Sequence, residues 1–195
     1  MHLSYDQMLD AREARYSRQM ALIERWRKPL VFLTAVFPGS RKDSTGARHI
    51  VELGFEAVNS CFEHHGIGTD STKITDLPTG LEILFVVNSP ALPVKELLLG
   101  IEETHPAGRL FDLDVIDVTG RRISREDFGL PPRRCLICEE PAYACIRNRS
   151  HSLQSLLDAI GKILDMPTVS AAGHASPLCT TTTEKGGNPT IRVYG

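Results

Sequence analysis

The spacing of apolar residues over the middle of the chain constrains its fold more than any other sequence feature. Short runs of strand-forming side chains alternate there with longer segments in which apolar residues recur at the helical period. Proline and glycine punctuate the boundaries, as at Pro38-Gly39 after the first run and at Pro78 and Gly80 in a later turn. The predicted order is strand 30–37, helix 45–64, strand 71–76, strand 81–87, helix 90–104 and strand 108–118.

This β-α-β-β-α-β order predicts an α+β domain built on a ferredoxin-like, split-βαβ antiparallel sheet, with helices added at both ends. The N-terminal helix is predicted over residues 4–26, and the C-terminal helix from His151 onward. In such a sheet the last strand lies beside the first, and its start meets the end of the first strand. Residues 38–43, which follow the first strand, are therefore expected close to Asp112.

Length, charge and hydropathy limit the class of protein. The chain has 195 residues and a net charge of −2, so a single domain is expected over residues 1–166, and no overall field attracts nucleic acid or an anionic membrane. The longest apolar stretch, residues 30–37, is far shorter than a bilayer span, and the N-terminus has no signal-peptide pattern, so we predict a cytoplasmic protein. Residues 167–195 carry few large apolar side chains and are predicted to form a flexible tail.

Two aspartates share one face of the last predicted strand. Strand alternation puts Asp112 and Asp114 on one face and their apolar neighbours on the other. Their Cα atoms would lie about 6.8 Å apart, close enough for both carboxylates to bind Mg²⁺ and serve phosphoryl or nucleotidyl transfer. The alternative is an exposed strand face with solvated aspartates, although aspartate is disfavoured in strands.

A glycine turn and an Arg-rich segment supply groups that suit phosphate. Gly39 and Lys42 follow the first strand, and backbone N–H groups beside a lysine can hold a phosphate, although a plain turn has the same sequence character. Between residues 121 and 149, seven arginines stand against four acidic residues. Such a basic patch suits a phosphorylated small molecule or an acidic protein, or else is a solvated loop.

The same Arg-rich segment contains a set of soft metal ligands. Cys135, Cys138, Cys145 and His151 form a C-x2-C-x6-C-x5-H pattern, which is permissive for a tetrahedral Zn²⁺ site. A single C-x2-C pair also occurs without metal, and cysteine is a common small core residue. Zinc ligands and buried thiols therefore both remain open for this set.

Several of these motifs together resemble one enzyme family. The segments His105-Pro-Ala-Gly-Arg-Leu-Phe-Asp-Leu-Asp-Val115 and Leu130-Pro-Pro-Arg-Arg-Cys-Leu-Ile-Cys-Glu139, with Cys145-Ile-Arg147 and His151, are similar to the apo-citrate lyase phosphoribosyl-dephospho-CoA transferases. These enzymes are also called holo-citrate lyase acyl carrier protein synthases. The similarity includes Pro38-Gly39 with Lys42-Asp43 and covers about residues 5–165.

The resemblance implies a reaction, a metal and partners. The implied reaction moves the phosphoribosyl-dephospho-CoA group from 2'-(5''-triphosphoribosyl)-3'-dephospho-CoA to a serine of the citrate lyase acyl carrier (gamma) subunit and releases pyrophosphate. This is a nucleotidyl transfer that involves neither nucleic acid nor membrane. Asp112 and Asp114 would be the catalytic residues and the Mg²⁺ ligands. The expected substrate-binding residues are Gly39, Lys42, Arg109, Arg125, Arg133, Arg134 and Arg147.

Two other functions are compatible with the residues. The same chemistry on another acyl carrier protein, as in the malonate decarboxylase system, would use the same aspartates and phosphate contacts. A zinc-stabilised binding module would use the Cys/His set, but an RNA-binding sheet presents aromatic side chains where this sequence places Asp112 and Asp114. The citrate lyase reaction is therefore the preferred prediction.

Overall fold

Five helices and five strands follow one another in the part of the chain that the structure, a computed structural model, describes: residues 5–39 and 44–165. The elements are α1 (Tyr5–Trp26), β1 (Leu30–Ala35), α2 (Thr45–His64), β2 (Thr69–Leu77), β3 (Gly80–Val87), α3 (Ala91–Thr104), β4 (Phe111–Ile116), β5 (Arg122–Ile123), α4 (Ala142–Asn148) and α5 (Leu153–Leu164). Among these helices, none has both the length and the apolar character that crossing a bilayer requires.

The five strands form one antiparallel sheet in the order β2-β3-β1-β4-β5. The predicted hairpin is confirmed as β2 and β3, and the two helices predicted between strands are confirmed as α2 and α3. Strand β4 lies beside β1 as predicted, with Asp112 opposite Thr34 and Phe111 opposite Ala35. The chain is therefore an α+β protein in which the end of β1 meets the start of β4.

Alternating side chains give the sheet two buried faces. Helices α2 and α3 cover one face, whose core includes Leu33, Phe85 and Phe111. Helix α1 covers the other face through Ile23 and its neighbours, which pack against Leu30, Phe32, Leu84, Val86 and Ile116. Burial of each large apolar side chain contributes about 1.5–3 kcal/mol. Both helical layers are thus needed to stabilise the sheet.

A buried carboxylate ties α1 to the sheet. Glu82 of β3 lies on the α1 face, and its two carboxylate oxygens are 2.5 Å from Arg15 Nη2 and 2.6 Å from Arg18 Nη2. The Arg15 guanidinium also lies over the ring of Phe32, 4.9 Å from its centroid. These contacts fix the position of α1 along the sheet by charge as well as by apolar packing.

The strand predicted over residues 108–118 is wrong at both ends. A 3₁₀ turn precedes β4, and it begins at Gly108, where a Cβ would be 2.4 Å from the Ile101 carbonyl oxygen of α3. The strand stops before Asp117, whose carboxylate accepts a hydrogen bond from the backbone N–H of Thr119 at 2.9 Å. Such a bond folds the chain into a turn that competes with strand pairing.

Two short elements are absent from the sequence prediction. Strand β5 has only two residues, and the seven-residue α4 lies in the Arg-rich segment, where no helix was predicted. Neither is long enough to show a hydrophobic period. The predicted tail over residues 167–195 and the predicted turn residues 40–43 lie outside the described residues.

His105 makes the stability of this fold depend on pH. It ends α3, its Nδ1 accepts a hydrogen bond from the backbone N–H of Ala107 at 3.0 Å, and its ring packs on Phe111. Burial lowers the pKa of His105 below its ordinary value of 6.5. The folded protein then binds fewer protons at this site than the unfolded chain, so stability falls as the pH drops from 6.5 toward the folded-state pKa.

We therefore expect the free energy of unfolding to fall more steeply between about pH 7 and about pH 5 in the wild-type protein than in His105→Gln, whose amide does not titrate. Urea denaturation at several pH values measures both slopes. His49→Gln, at an exposed position of α2, is the control and should keep the wild-type slope. Equal slopes for wild type and His105→Gln would contradict the role of this histidine.

Candidate active site

Two acidic side chains stand side by side on the α1 face of β4. The strand buries Phe111, Leu113 and Val115 and leaves Asp112 and Asp114 half-buried, as alternation predicts. Thr34 Oγ1 of the neighbouring β1 donates a hydrogen bond to Asp112 Oδ2 at 3.3 Å. Both carboxylates therefore lie on the same face of β4.

The two aspartates carry like charges, which repel one another. Burial raises the pKa of Asp114, and the negative charge of Asp112 raises it further. The nearby cations act in the other direction, chiefly Arg122, whose Nη1 is 3.0 Å from Asp114 Oδ2, and then Lys95 and Arg133. A half-buried pair of like charges is unfavourable, and a bound cation would relieve the repulsion.

Cationic side chains cover the open edge of β4 beside the aspartates. Strand β5 pairs only with the last two residues of β4, so the carbonyl groups before them need other donors. Arg133 Nη1 donates to the Phe111 carbonyl at 2.8 Å, and Lys95 Nζ donates to the Leu113 carbonyl at 2.6 Å. Arg133 is thereby fixed at the start of β4, adjacent to Asp112.

One buried carboxylate organises these cations. Glu102 of α3 has Oε1 2.5 Å from Arg133 Nη2 and 3.6 Å from Lys95 Nζ, and its Oε2 is 3.3 Å from Arg125 Nη1. Burial lowers the pKa of Lys95, while the charge of Glu102 raises it in part. The cluster of Glu102 with Lys95, Arg125 and Arg133 is called the Glu102 cluster below.

Lys95 and Glu102 were not among the predicted site residues, although the sequence contains a signal for both. On α3 both fall on the stripe of Ala91 and Leu98, which faces the core. Two charged residues on an apolar stripe indicate a buried ion pair. The cluster also explains Arg125, whose side chain additionally pairs with Glu103 at 2.7 Å.

The Cys/His set comes together in space. Cys138 Sγ lies 3.5 Å from Cys145 Sγ and 3.3 Å from His151 Nε2, and ligand atoms of all four residues, Cys135 included, lie within 4.8 Å of one another. Burial alone would raise the pKa of the Cys135 thiol, but backbone N–H groups and the other thiols donate to its sulfur and bring the pKa to about 7. This donor set fits Zn²⁺.

The remaining predicted site residues have contacts outside the aspartate pair, or lie exposed. Gly39 has a left-handed φ of +83°, and a Cβ there would be 3.4 Å from Leu153 Cδ1, at the start of α5. Arg109 donates to the Cys135 carbonyl, Arg134 pairs with Glu139, and Arg147 lies exposed on α4. Lys42 lies outside the described residues.

A pocket adjoins the aspartate pair. It has a volume of about 180 Å³ and is lined by Arg15, Thr34, Phe37 and Thr79 among others. Thr79 Oγ1 is buried without a hydrogen-bond partner among the described residues. Because pockets for whole ligands commonly measure about 300–1,000 Å³, this one suits a fragment of a larger molecule.

Comparison with known proteins confirms the resemblance found in the sequence. The family model described as apo-citrate lyase phosphoribosyl-dephospho-CoA transferase matches residues 3–166. A protein of that name from Escherichia coli O1:K1 is 36% identical over 163 residues, which cover 84% of this chain and 89% of the relative. A protein of Vibrio cholerae serotype O1, named "probable apo-citrate lyase phosphoribosyl-dephospho-CoA transferase", is 37% identical over 161 residues, or 82% of this chain and 90% of the relative. The chain therefore belongs to the apo-citrate lyase phosphoribosyl-dephospho-CoA transferase family.

Proposed function

We propose that this protein transfers the phosphoribosyl-dephospho-CoA group from 2'-(5''-triphosphoribosyl)-3'-dephospho-CoA to a serine of the citrate lyase acyl carrier (gamma) subunit. In this reaction the serine hydroxyl loses its proton and its oxygen forms a bond to the α-phosphorus. The bond from that phosphorus to the β-phosphate breaks, and pyrophosphate leaves. The observation that carries the proposal is the aspartate pair on β4, in a chain whose family is named for this transfer.

The aspartate pair fits a divalent cation by its chemistry. Asp112 and Asp114 offer hard oxygen ligands on one face, and the charge of Asp112 raises the pKa of Asp114. A cation would remove this repulsion, and carboxylate oxygens are the ligands that Mg²⁺ prefers. When bound, Mg²⁺ supplies charge stabilisation for the departing pyrophosphate.

The cations beside the aspartates serve the phosphate groups in this proposal. Arg122 already contacts Asp114, and its side chain is mostly exposed, so it can turn toward an incoming phosphate. Arg133 is held by Glu102 and by the Phe111 carbonyl, so its charge is fixed before the donor arrives. A fixed guanidinium can stabilise charge that develops during transfer without reorganising.

The donor and the carrier need more surface than the aspartate pair provides. We propose that a polar fragment of the donor enters the pocket, where Thr79 Oγ1 is buried without a partner among the described residues and Arg15 supplies a charge. Gly39, Lys42, Arg109, Arg134 and Arg147 remain proposed contacts of the phosphates or of the acidic carrier protein.

The proposal extends to the fold type and the compartment. The order β-α-β-β-α-β and the antiparallel pairing support a ferredoxin-like, nucleotidyltransferase-like fold over residues 1–166. Three clustered thiols suit a reducing compartment such as the cytoplasm. A zinc-stabilised RNA-binding module is not favoured, because the matched relatives are named as transferases and Asp112 and Asp114 would repel phosphate without a cation.

Intact-mass spectrometry of the carrier tests the proposed reaction. Apo-citrate lyase acyl carrier subunit is incubated with the protein, Mg²⁺ and the triphosphoribosyl donor. We expect a mass increase equal to one phosphoribosyl-dephospho-CoA group, with release of pyrophosphate. A carrier whose acceptor serine is replaced by alanine is the control and should stay unmodified.

The same assay separates the citrate lyase reaction from its nearest alternative. The malonate decarboxylase acyl carrier protein, incubated under the same conditions, should be modified far more slowly than the citrate lyase carrier. If the malonate carrier alone is modified, the malonate decarboxylase carrier is the acceptor in place of the citrate lyase carrier. If folded protein modifies neither carrier, the proposed transfer is overturned.

A further inference from the structure

The segment before α5 has no apolar core of its own. Over residues 131–152 the only buried side chains are Cys135 and Cys145. Leu136 is partly buried against the main core, but the other large apolar residues, Ile137, Tyr143 and Ile146, are exposed. The one regular helix of the segment has seven residues. Apolar packing therefore contributes little to the conformation of this segment, as in small proteins that rely on a metal ion or a disulfide.

The Cys/His set has the dimensions of a tetrahedral metal site. With Zn–S bonds of about 2.3 Å and Zn–N bonds of about 2.0 Å, tetrahedral geometry puts two sulfurs about 3.8 Å apart and a sulfur and a nitrogen about 3.5 Å apart. The Cys138–Cys145 and Cys138–His151 separations are 3.5 Å and 3.3 Å. Small outward shifts would open the centre of the set to an ion.

The backbone around the first two cysteines is shaped for a metal ligand. The Cys135 N–H donates to the Glu140 carbonyl at 2.8 Å, and the Ala142 N–H donates to the Arg133 carbonyl at 2.8 Å, so residues 133–142 form a tight hairpin. The Ile137 N–H points at Cys135 Sγ, 3.5 Å away. Backbone donors aimed at a sulfur orient it and stabilise its thiolate form as a ligand.

We propose that Cys135, Cys138, Cys145 and His151 bind one Zn²⁺ ion, which folds residues 131–152 against the start of β4. Both buried side chains of the segment are then ligands, which accounts for a conformation that the single core contact of Leu136 does not explain. Four protein ligands complete the coordination of zinc, so the site is structural and leaves no position for substrate. Soft sulfur ligands also distinguish it from the oxygen ligands of the aspartate pair.

The zinc site also positions groups of the proposed active site, a consequence that rests on the proposed function. Arg133 precedes the first ligand by two residues and reaches the Phe111 carbonyl. Arg109, two residues before β4, donates a hydrogen bond to the Cys135 carbonyl. The ion would thereby hold Arg133 beside Asp112, and its loss would release that arginine.

Metal content and protease sensitivity test the zinc site without any substrate. Protein purified under reducing conditions without chelator is expected to contain about one zinc per chain. His151→Ala should lose most of this zinc, His151→Cys should retain it as a four-cysteine site, and Cys61→Ser, on α2 outside the set, should match wild type. Trypsin should cut after the exposed Arg147 and Arg149 much faster once zinc is removed.

Several outcomes would overturn the zinc site. A zinc content near zero in the wild-type protein, with no uptake on titration, would mean that the cysteines are buried thiols and not metal ligands. A Cys138–Cys145 disulfide in protein kept under reducing conditions, seen as a mass lower by two hydrogens, would replace the metal as the link. Equal loss of zinc in Cys61→Ser would place the ion elsewhere.

Transfer rates then test the positioning role. We expect His151→Ala to lower kcat for the carrier by about tenfold, the usual order for a lost supporting contact, and His151→Cys to restore it. Wild-type kcat in zinc-free His151→Ala would overturn the positioning role. Because zinc content and cleavage are measured without carrier, absence of transfer in every protein would overturn only the proposed function and not the zinc site.

Discussion

Replacing either aspartate of β4 by asparagine is expected to lower the rate of carrier modification by about 10³-fold or more. Asparagine keeps the size of Asp112 and Asp114 but removes the charge that holds Mg²⁺ in the proposed reaction. Several kcal/mol of charge stabilisation would be lost, and each 1.36 kcal/mol corresponds to a factor of ten in rate. Fold disruption does not account for such a loss, because both side chains are only half-buried and repel one another.

Single-turnover mass measurements of the carrier give the rates, and Mn²⁺ binding followed by electron paramagnetic resonance gives the metal affinity. Both quantities should fall in Asp112→Asn and Asp114→Asn. Asp76→Asn is the matched control, since Asp76 lies exposed on β2 and pairs with Arg48 across the surface. Thermal unfolding should leave all three variants folded at the assay temperature.

The prediction fails if either variant keeps a rate within about tenfold of wild type, because a metal ligand at the reacting phosphate contributes more than that. A lower transfer rate with unchanged Mn²⁺ affinity would mean that the aspartates take part in catalysis without holding the metal ion. The carboxylates would then act on the serine or the donor directly, and the ion would be held by other groups.

The aspartate pair could be found from the sequence because the information is local. Alternation along a strand fixes which side chains share a face, and the neighbouring Leu113 and Val115 fix which face is buried. The position of β4 beside β1 followed from the order of elements alone. Local periodicity and topology therefore sufficed for the centre of the candidate site.

The cations around this centre could not be placed in the same way. Arg133 and Arg125 were recognised as basic residues, but their spacing does not indicate that both reach one carboxylate on α3. Both arginines lie more than twenty positions after Glu102, and Arg133 belongs to a segment with no hydrophobic period. Its contact with Glu102 depends on the hairpin at residues 133–142 and on α4, which are too short for sequence patterns to reveal.

The Cys/His set lies between these two cases. Its spacing was visible in the sequence, and the structure brings all four ligand atoms within 4.8 Å. The spacing alone left buried thiols as an open alternative to zinc ligands, because it does not show which other side chains fill the segment. The structure adds that fact: Cys135 and Cys145 are the only buried side chains over residues 131–152.

The Glu102 cluster leads to the largest effect expected on stability. Glu102→Gln keeps the volume of the side chain but leaves Lys95, Arg125 and Arg133 without their shared negative charge. Breaking a buried ion pair by removing one partner costs about 3–5 kcal/mol. Arg133 and Arg125 keep 30% and 18% of their side-chain surface exposed, and solvent screens them, so we expect a loss of about 3 kcal/mol in the free energy of unfolding.

Urea denaturation at neutral pH measures this loss, and Glu103→Gln is the matched control. Glu103 neighbours Glu102 in the chain and pairs with the same Arg125 at 2.7 Å, but half of its side chain is exposed. Exposed pairs contribute about 0–1 kcal/mol, so Glu103→Gln should remain close to wild type. Equal effects of the two substitutions would mean that burial does not distinguish the two carboxylates.

Glu102→Gln should also slow carrier modification while the variant is still folded. Arg133 would keep its hydrogen bond to the Phe111 carbonyl but lose the carboxylate that orients its second nitrogen. We expect a lower kcat with little change in KM for the donor. A misplaced Arg133 guanidinium would stabilise the transition state less, while its contact with the bound donor would change little. A variant destabilised by about 3 kcal/mol that retained wild-type kcat would show that the cluster supports the fold alone, and that Arg133 takes no part in transfer.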